Sequence, residues 1–223
     1  MNDRAWWSTG VRVIRPLGEW ADHAVGEVDS APIAVDTDRG VIESNPQVAE
    51  IAVLPEVFSA EECRRMIEMA RSRPFERGRV LEGRDDARRC DYACVEDGVE
   101  ARWIYDGIVR AFHLANERFR YRLRAMIEPV IAVAYGPGDG FDWHLDAGGE
   151  ITATRKLSLS LLLTGPDAYD GGGIEISGGA GESLRPPAGT AIIFPSLLSH
   201  RVKDVTRGTR VALVAFAHGP TFR

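Results

Sequence analysis

Along residues 101–118 (ARWIYDGIVRAFHLANER) the apolar positions Trp103, Ile104, Ile108, Ala111, Phe112 and Ala115 recur at intervals of three and four. That spacing marks one buried face of a helix. An earlier helix is signalled in FSAEECRRMIEMARSR. Ser59 is suited to cap it, Glu62 three residues on completes a capping box, Met66, Ile67 and Ala70 keep helical spacing, and Pro74 ends it. Before it, AEIAVL at 49–54 reads as a strand, and the charged, glycine-containing residues 76–100 read as a loop or weak strands. From Tyr121 the period shortens. RYRLRAMI, PVIAVAYG, FDWHLDAG, RKLSLSLLLT, GGIEIS, ESLRPPAG, TAIIFPS, SHRVKDVT and TRVALVAFAHG follow one another, punctuated by Gly, Pro and Asp.

Helices first and many short strands afterwards predict a mainly β fold with flanking helices (α+β): an antiparallel sandwich or barrel with helices on one side. Residues 49–223 form one domain, with helical support over 59–118 and the β part over about 121–219. Residues 1–48 are less patterned. Val11, Val13 and Ile14 suggest a short strand, while Trp6, Trp7 and Trp20 argue against a disordered tail. These residues are expected to pack on the core as an N-terminal arm.

At 223 residues the chain can bury a core without staples. Its net charge of −6 opposes a non-specific grip on nucleic acid. No apolar run reaches membrane-spanning length and no secretory h-region is present, so a cytoplasmic location is expected. The odd set Cys63, Cys90 and Cys94 does not suit a disulfide framework, and the Cys90–Cys94 pair has no second pair to complete a zinc site. The three glycines at 171–173 lack the Lys-Ser/Thr of a phosphate loop and read as a hairpin turn. The oligomeric state is not legible.

Chemistry concentrates in the β part. His144 and Asp146 are two apart, so on a strand they share a face. His200 follows the strand TAIIFPS, and Arg210 lies in the apolar run TRVALVAF. Two imidazoles and a carboxylate can hold one face of a ferrous ion and leave the other open; zinc also fits these ligand types. A guanidinium in so apolar a strand needs a partner. A dicarboxylate co-substrate supplies one, and a salt bridge to an acid of the protein is the alternative.

VAYGPGDGF with Tyr135, WHLD with His144 and Asp146, RKLSLSLLLTGPDAYDGGGIEI, and FPSLLSHRVKDVTRGTR with His200 and Arg210 resemble the 2-oxoglutarate- and Fe(II)-dependent dioxygenases of the prolyl 4-hydroxylase type, in their bacterial branch. The resemblance spans about residues 49–219. It implies a double-stranded β-helix, or jelly roll. It also implies Fe(II), 2-oxoglutarate and O2, with ascorbate admissible as reductant, and hydroxylation of an unactivated C–H with release of succinate and CO2. His144, Asp146 and His200 match the iron ligands. Arg210 matches the residue that pairs with the distal carboxylate, and Tyr135 a tyrosine that reaches co-substrate or substrate. Ser158, Ser160 and Leu162 should face the site while Leu157, Leu159, Leu161 and Leu163 pack in the core. Hypoxia-sensing relatives carry tyrosine at the position of Leu162, so Ser160 is the candidate replacement donor.

Val202, Val214 and Phe216 match apolar wall positions, and Trp143 is a candidate pocket residue. Related halogenases lack the carboxylate at Asp146, so its presence favours hydroxylation. Residues 1–48, 76–100 and 147–154 are expected to shape the pocket. The substrate stays open among amino-acid-like, peptide and small-metabolite classes. The rival readings are a non-catalytic or sensor module of the same fold and a cupin-type metalloenzyme that does not use 2-oxoglutarate.

Overall fold

Two-residue alternation along strands buried on both sides decides the architecture. The computed structural model describes residues 15–16, 51–78, 87–177 and 183–221. In chain order the elements are β1 (Arg15–Pro16), β2 (Ala52–Leu54), α1 (Ala60–Arg71), β3 (Glu76–Arg77), β4 (Arg88–Arg89), β5 (Asp91–Val95), α2 (Arg102–Phe119), β6 (Ala125–Met126), β7 (Val130–Tyr135) and β8 (Gly140–His144). There follow β9 (Arg155–Leu162), β10 (Tyr169–Gly171), β11 (Ile174–Ile176), β12 (Ala191–Pro195), β13 (His200–Val202), β14 (Val205–Gly208) and β15 (Arg210–His218).

The major sheet runs β2-β12-β9-β15-β7-β5-β3, and β6 pairs with the end of β15. A minor sheet runs β11-β13-β8-β4, and β10 pairs with β14 alone. Every pairing is antiparallel. This is the double-stranded β-helix that the family resemblance implies, within the antiparallel sandwich with flanking helices that the β-texture predicts. The strand pattern shows why the two faces differ. Leu157, Leu159 and Leu161 of β9, Val211, Leu213, Ala215 and Ala217 of β15, and Ala191 and Ile193 of β12 join one core with Met66, Ile104, Ile108 and Phe112 of the helices. The alternate positions Leu162, Ala212, Ile192, Phe194 and Val133 meet Ile174, Ile176 and Val202 of the minor sheet in a second core. The functional residues lie in that inter-sheet layer.

The capping box is present: Glu62 N–H donates to Ser59 Oγ at 3.2 Å, and Ser59 N–H donates to Glu62 Oε2 at 2.8 Å. Ser59→Ala should lower stability by about 1 kcal/mol, read by urea unfolding; no change would deny the cap a role. On α2 one expectation needs correction. Trp103 is half-buried, with Arg65 placed 5.0 Å over its ring. Tyr105, absent from the expected face, is fully buried like Phe112, and its hydroxyl donates to Val95 O at 2.6 Å and accepts from Val130 N–H at 3.0 Å, tying α2 to β5 and β7.

ESLRPPAG forms no strand: Leu184 makes an isolated bridge with Ile174, and the prolines that follow cannot donate to a ladder. RYRLRAMI is strand only at Ala125–Met126. The glycine run is not the hairpin turn expected: β10 pairs with β14 and β11 with β13, so Gly172 and Gly173 link two different sheets. Gly171 has φ +71°, and a Cβ there would sit 2.1 Å from Asp204 O. Of residues 1–48 only Arg15–Pro16 is described, paired with Met126 and Ala125. The strand expected at Val11–Ile14 and the arm's tryptophans lie outside the described residues. No helix among the described residues is long and apolar enough to cross a membrane.

Candidate active site

β8 and β13 are neighbours, with His144 opposite His200 and Phe141 opposite Val202. Two residues of β8, Asp142 and Trp143, therefore stand against the single Arg201 of β13. This bulge alters the parity that the sequence suggests. In a regular strand Phe141 and His144 would face opposite sides; here their rings stack at 3.5 Å. Trp143 is turned outward instead. It is 43% exposed under the Arg201 guanidinium and does not line the cavity, which corrects its candidacy as a pocket residue.

Asp146 lies just past the end of β8. The chain there is held by Ala147 N–H donating to Ser196 O at 3.0 Å and by Arg155 Nη1 donating to Asp146 O at 3.0 Å. His144 Nε2 is 3.7 Å from Asp146 Oδ1, and His200 Nε2 is 3.4 Å from Asp146 Oδ2. One donor atom from each of the three residues falls within 4.8 Å of the others. Each imidazole Nδ1 meets a carbonyl, Asp142 O at 2.7 Å for His144 and Leu198 O at 3.1 Å for His200. A carbonyl can only accept, so each Nδ1 carries the proton and each Nε2 lone pair is free to ligate. Burial, with the neighbouring His200, depresses His144 to about 4, so its ring is neutral at pH 7 and binds metal without first losing a proton. The donor set and its tautomers fit a ferrous ion.

A cavity of about 350 Å³ opens on these three residues. Of the candidate site residues, Tyr135, Ser158, Ser160, Val202, Arg210, Val214 and Phe216 line it. So do Gly148 and Thr152 of the segment 147–154. Leu162 does not. It points to the same side of β9 as Ser160 but is taken up in the apolar core between the sheets. Sequence reasoning missed Arg88, Phe141, Ile174, Phe194 and Arg155, all on the cavity wall. The paired arginines in the otherwise loop-like 76–100 and the arginine that opens RKLSLSLLL were the available signals.

Arg210 is 1% exposed. Its Nη2 donates to Ser160 Oγ at 3.4 Å, and its Nε has no partner. Its guanidinium carbon lies 5.3 Å from the centre of the Tyr135 ring, and among the described residues no acid pairs with it. Burial raises the Tyr135 hydroxyl far above its ordinary range, so it is a neutral donor. A buried cation with an orphaned donor facing a cavity fits an anionic ligand.

Behind the metal face is a closed ionic cluster. Glu128 is fully buried and takes both arms of Arg155, Nε to Oε1 at 2.6 Å and Nη2 to Oε2. His218 Nε2 lies 3.0 Å from Glu128 Oε1, near enough for ion pairing although its N–H is poorly aligned for a hydrogen bond. The Arg155 guanidinium also lies 3.6 Å over the Phe216 ring. The same side chain therefore braces Asp146, anchors on Glu128 and forms cavity wall.

Residues 130–218 match the 2OG-Fe(II) oxygenase superfamily. A PKHD-type hydroxylase of Xanthomonas campestris pv. campestris (strain 8004) is 31% identical over 169 residues, which cover 71% of this chain and 74% of the relative. This chain belongs to the 2OG-Fe(II) oxygenases. A PKHD-type hydroxylase of Caulobacter sp. (strain K31) is 33% identical over 173 residues, covering 71% of this chain and 74% of that one. In fold, this oxygenase is similar to a Pseudomonas putida prolyl-4-hydroxylase (TM-score 0.63, 21% identity, 78% of this chain and 98% of the other). It is also similar to the viral collagen prolyl hydroxylase of Paramecium Bursaria Chlorella virus-1 solved as a 2OG complex (TM-score 0.60, 17% identity, 76% and 96%). The protein is a dioxygenase of hydroxylase type that uses Fe(II), 2-oxoglutarate and O2.

Proposed function

We propose that this oxygenase hydroxylates an unactivated C–H of an amino-acid-like, peptide or small-metabolite substrate. One O2 and one 2-oxoglutarate are consumed, and one oxygen atom enters the substrate while the other enters succinate as CO2 leaves. His144, Asp146 and His200 hold the iron, which when bound supplies the centre for oxygen reduction. The single observation that carries the reading is Arg210, a buried guanidinium on the cavity with an orphaned Nε and, among the described residues, no acid paired with it. It receives the distal carboxylate of 2-oxoglutarate. Ser160 and Tyr135 complete that end of the site, Ser160 by steadying the guanidinium at 3.4 Å and Tyr135 as a neutral hydroxyl on the same wall. Val202, Val214 and Phe216 keep water from the reacting carbon, and Ser158, bonded to Ser196 at 2.9 Å, is a fixed polar point beside them.

The test is succinate release by the Fe(II)-loaded protein with 2-oxoglutarate, O2 and ascorbate, across free amino acids, peptides and small metabolites. The expected result is one class that raises succinate in step with a product heavier by one oxygen. No succinate above the substrate-free level with any class, from protein shown to hold metal, would return the reading to a non-catalytic module.

A further inference from the structure

Arg88, on β4 at the wall of the same cavity, has no task in the chemistry assigned to Arg210 and the metal triad. Its described neighbours hold the guanidinium in place, and none of them is a paired acid. Nε donates to Cys90 Sγ at 3.3 Å, and the guanidinium carbon lies 5.5 Å from the ring centres of both Tyr92 and Phe141. Phe141 stacks on His144, so Arg88 stands one ring away from a metal-ligand candidate.

Neighbouring arginines behave differently. Arg77 pairs with Asp139, Arg89 with Asp204, Arg155 with Glu128 and Arg201 with Glu175. Among the described residues no carboxylate pairs with Arg88. Tyr135 feels both Arg88 and Arg210, which places two guanidiniums without acid partners around one phenol. A single dicarboxylate co-substrate accounts for one of them. A planar fork clamped by aromatic faces, with no counter-ion among the described residues, is built to receive a carboxylate.

We propose that Arg88 binds a carboxylate of the primary substrate, so the oxygenase acts on an acid rather than on a neutral molecule. The inference rests on Arg210 being occupied by 2-oxoglutarate. The carboxylate comes either from a free amino acid or similar small acid, or from an acidic side chain of a peptide. Held at Arg88, it would direct the neighbouring C–H of the substrate toward the His144 side of the metal centre.

The test uses full-length protein loaded with Ni(II) and the unreactive 2-oxoglutarate analogue N-oxalylglycine, titrated by calorimetry. Free L-amino acids are compared with their carboxamides, and capped Asp- or Glu-containing tripeptides with their Asn or Gln counterparts. In one of the two sets an acid should bind about tenfold or more tightly than its amide. Arg88→Gln should abolish that difference and Arg88→Lys should keep part of it, while N-oxalylglycine affinity changes by no more than about twofold. Three outcomes overturn the proposal: no acid preferred over its amide in the wild type, a preference that survives Arg88→Gln, or loss of N-oxalylglycine binding in Arg88→Gln, which would assign Arg88 to the co-substrate. Failure of the wild type to bind N-oxalylglycine would instead defeat the underlying reading of Arg210.

Discussion

Replacing Arg210 with methionine should leave the co-substrate-free protein as stable as the wild type or more so, while weakening 2-oxoglutarate binding by about a hundredfold or more. The two effects have opposite signs for one reason. In the free protein the guanidinium is buried at 1% exposure with one long contact to Ser160 and an unpaired Nε, so its desolvation is poorly offset. Methionine fills similar space without that cost. On the proposed assignment, 2-oxoglutarate gives the same guanidinium a charge-assisted pair in a dry site, a contact whose loss typically costs about 2–5 kcal/mol. Urea unfolding with and without the co-substrate, beside calorimetric titration, reads both halves. A large loss of stability in the co-substrate-free variant would make Arg210 a structural residue.

Glu128→Ala should destabilise the fold by about 2–3 kcal/mol, because it takes the charge-assisted hydrogen bonds from the half-buried Arg155 and leaves the buried His218 without its acid. For a single domain whose total stability is about 5–15 kcal/mol, that is a large share. A second consequence follows from the contact between Arg155 and Asp146 O. With the brace loosened, metal affinity should fall by roughly 10–100-fold, the range seen when a ligand loses its supporting hydrogen bond.

Burial alone would raise the Glu128 carboxyl, but the close His218 ring and the hydrogen bonds and charge of Arg155 outweigh it and hold the group below its ordinary 4.5. A depressed carboxyl contributes stability above its unfolded value and loses it as pH falls through the lower folded value. Glu128→Gln should therefore be less stable than the wild type at neutral pH, and the gap should close on acidification below 4.5. Unfolding curves at several pH values check this. A gap independent of pH would mean that the carboxylate's charge does not matter.

The chain displays the site residues more openly than it displays their order in space. Alternation along RKLSLSLLLT and TRVALVAF already separates the leucine face from the serine and arginine face, because strands buried on both sides can be told apart only by their small polar and charged members. Alternation from His144 also turns the adjacent Trp143 away from the metal face, as found; what it does not foresee is the bulge opposite Arg201, which brings Phe141 to the same side as His144. Leu162 obeys the alternation yet misses the cavity, because facing the inter-sheet layer is not the same as reaching its open part. Arg88 was hidden for another reason. It sits in the two-residue strand β4, too short to carry a period, and only its register with Phe141 brings it to the wall. Glu128 and His218 are ninety residues apart in sequence, and neither belongs to a local motif.

The most direct measurement of the central claim is anaerobic titration of the Fe(II) protein with 2-oxoglutarate, followed by visible absorption. A saturable charge-transfer band should appear in the wild type, and Arg210→Met should need about a hundredfold more co-substrate to reach it. No band at saturating 2-oxoglutarate, or equal affinity in the variant, would contradict the assignment of the triad and Arg210 to one iron and 2-oxoglutarate site.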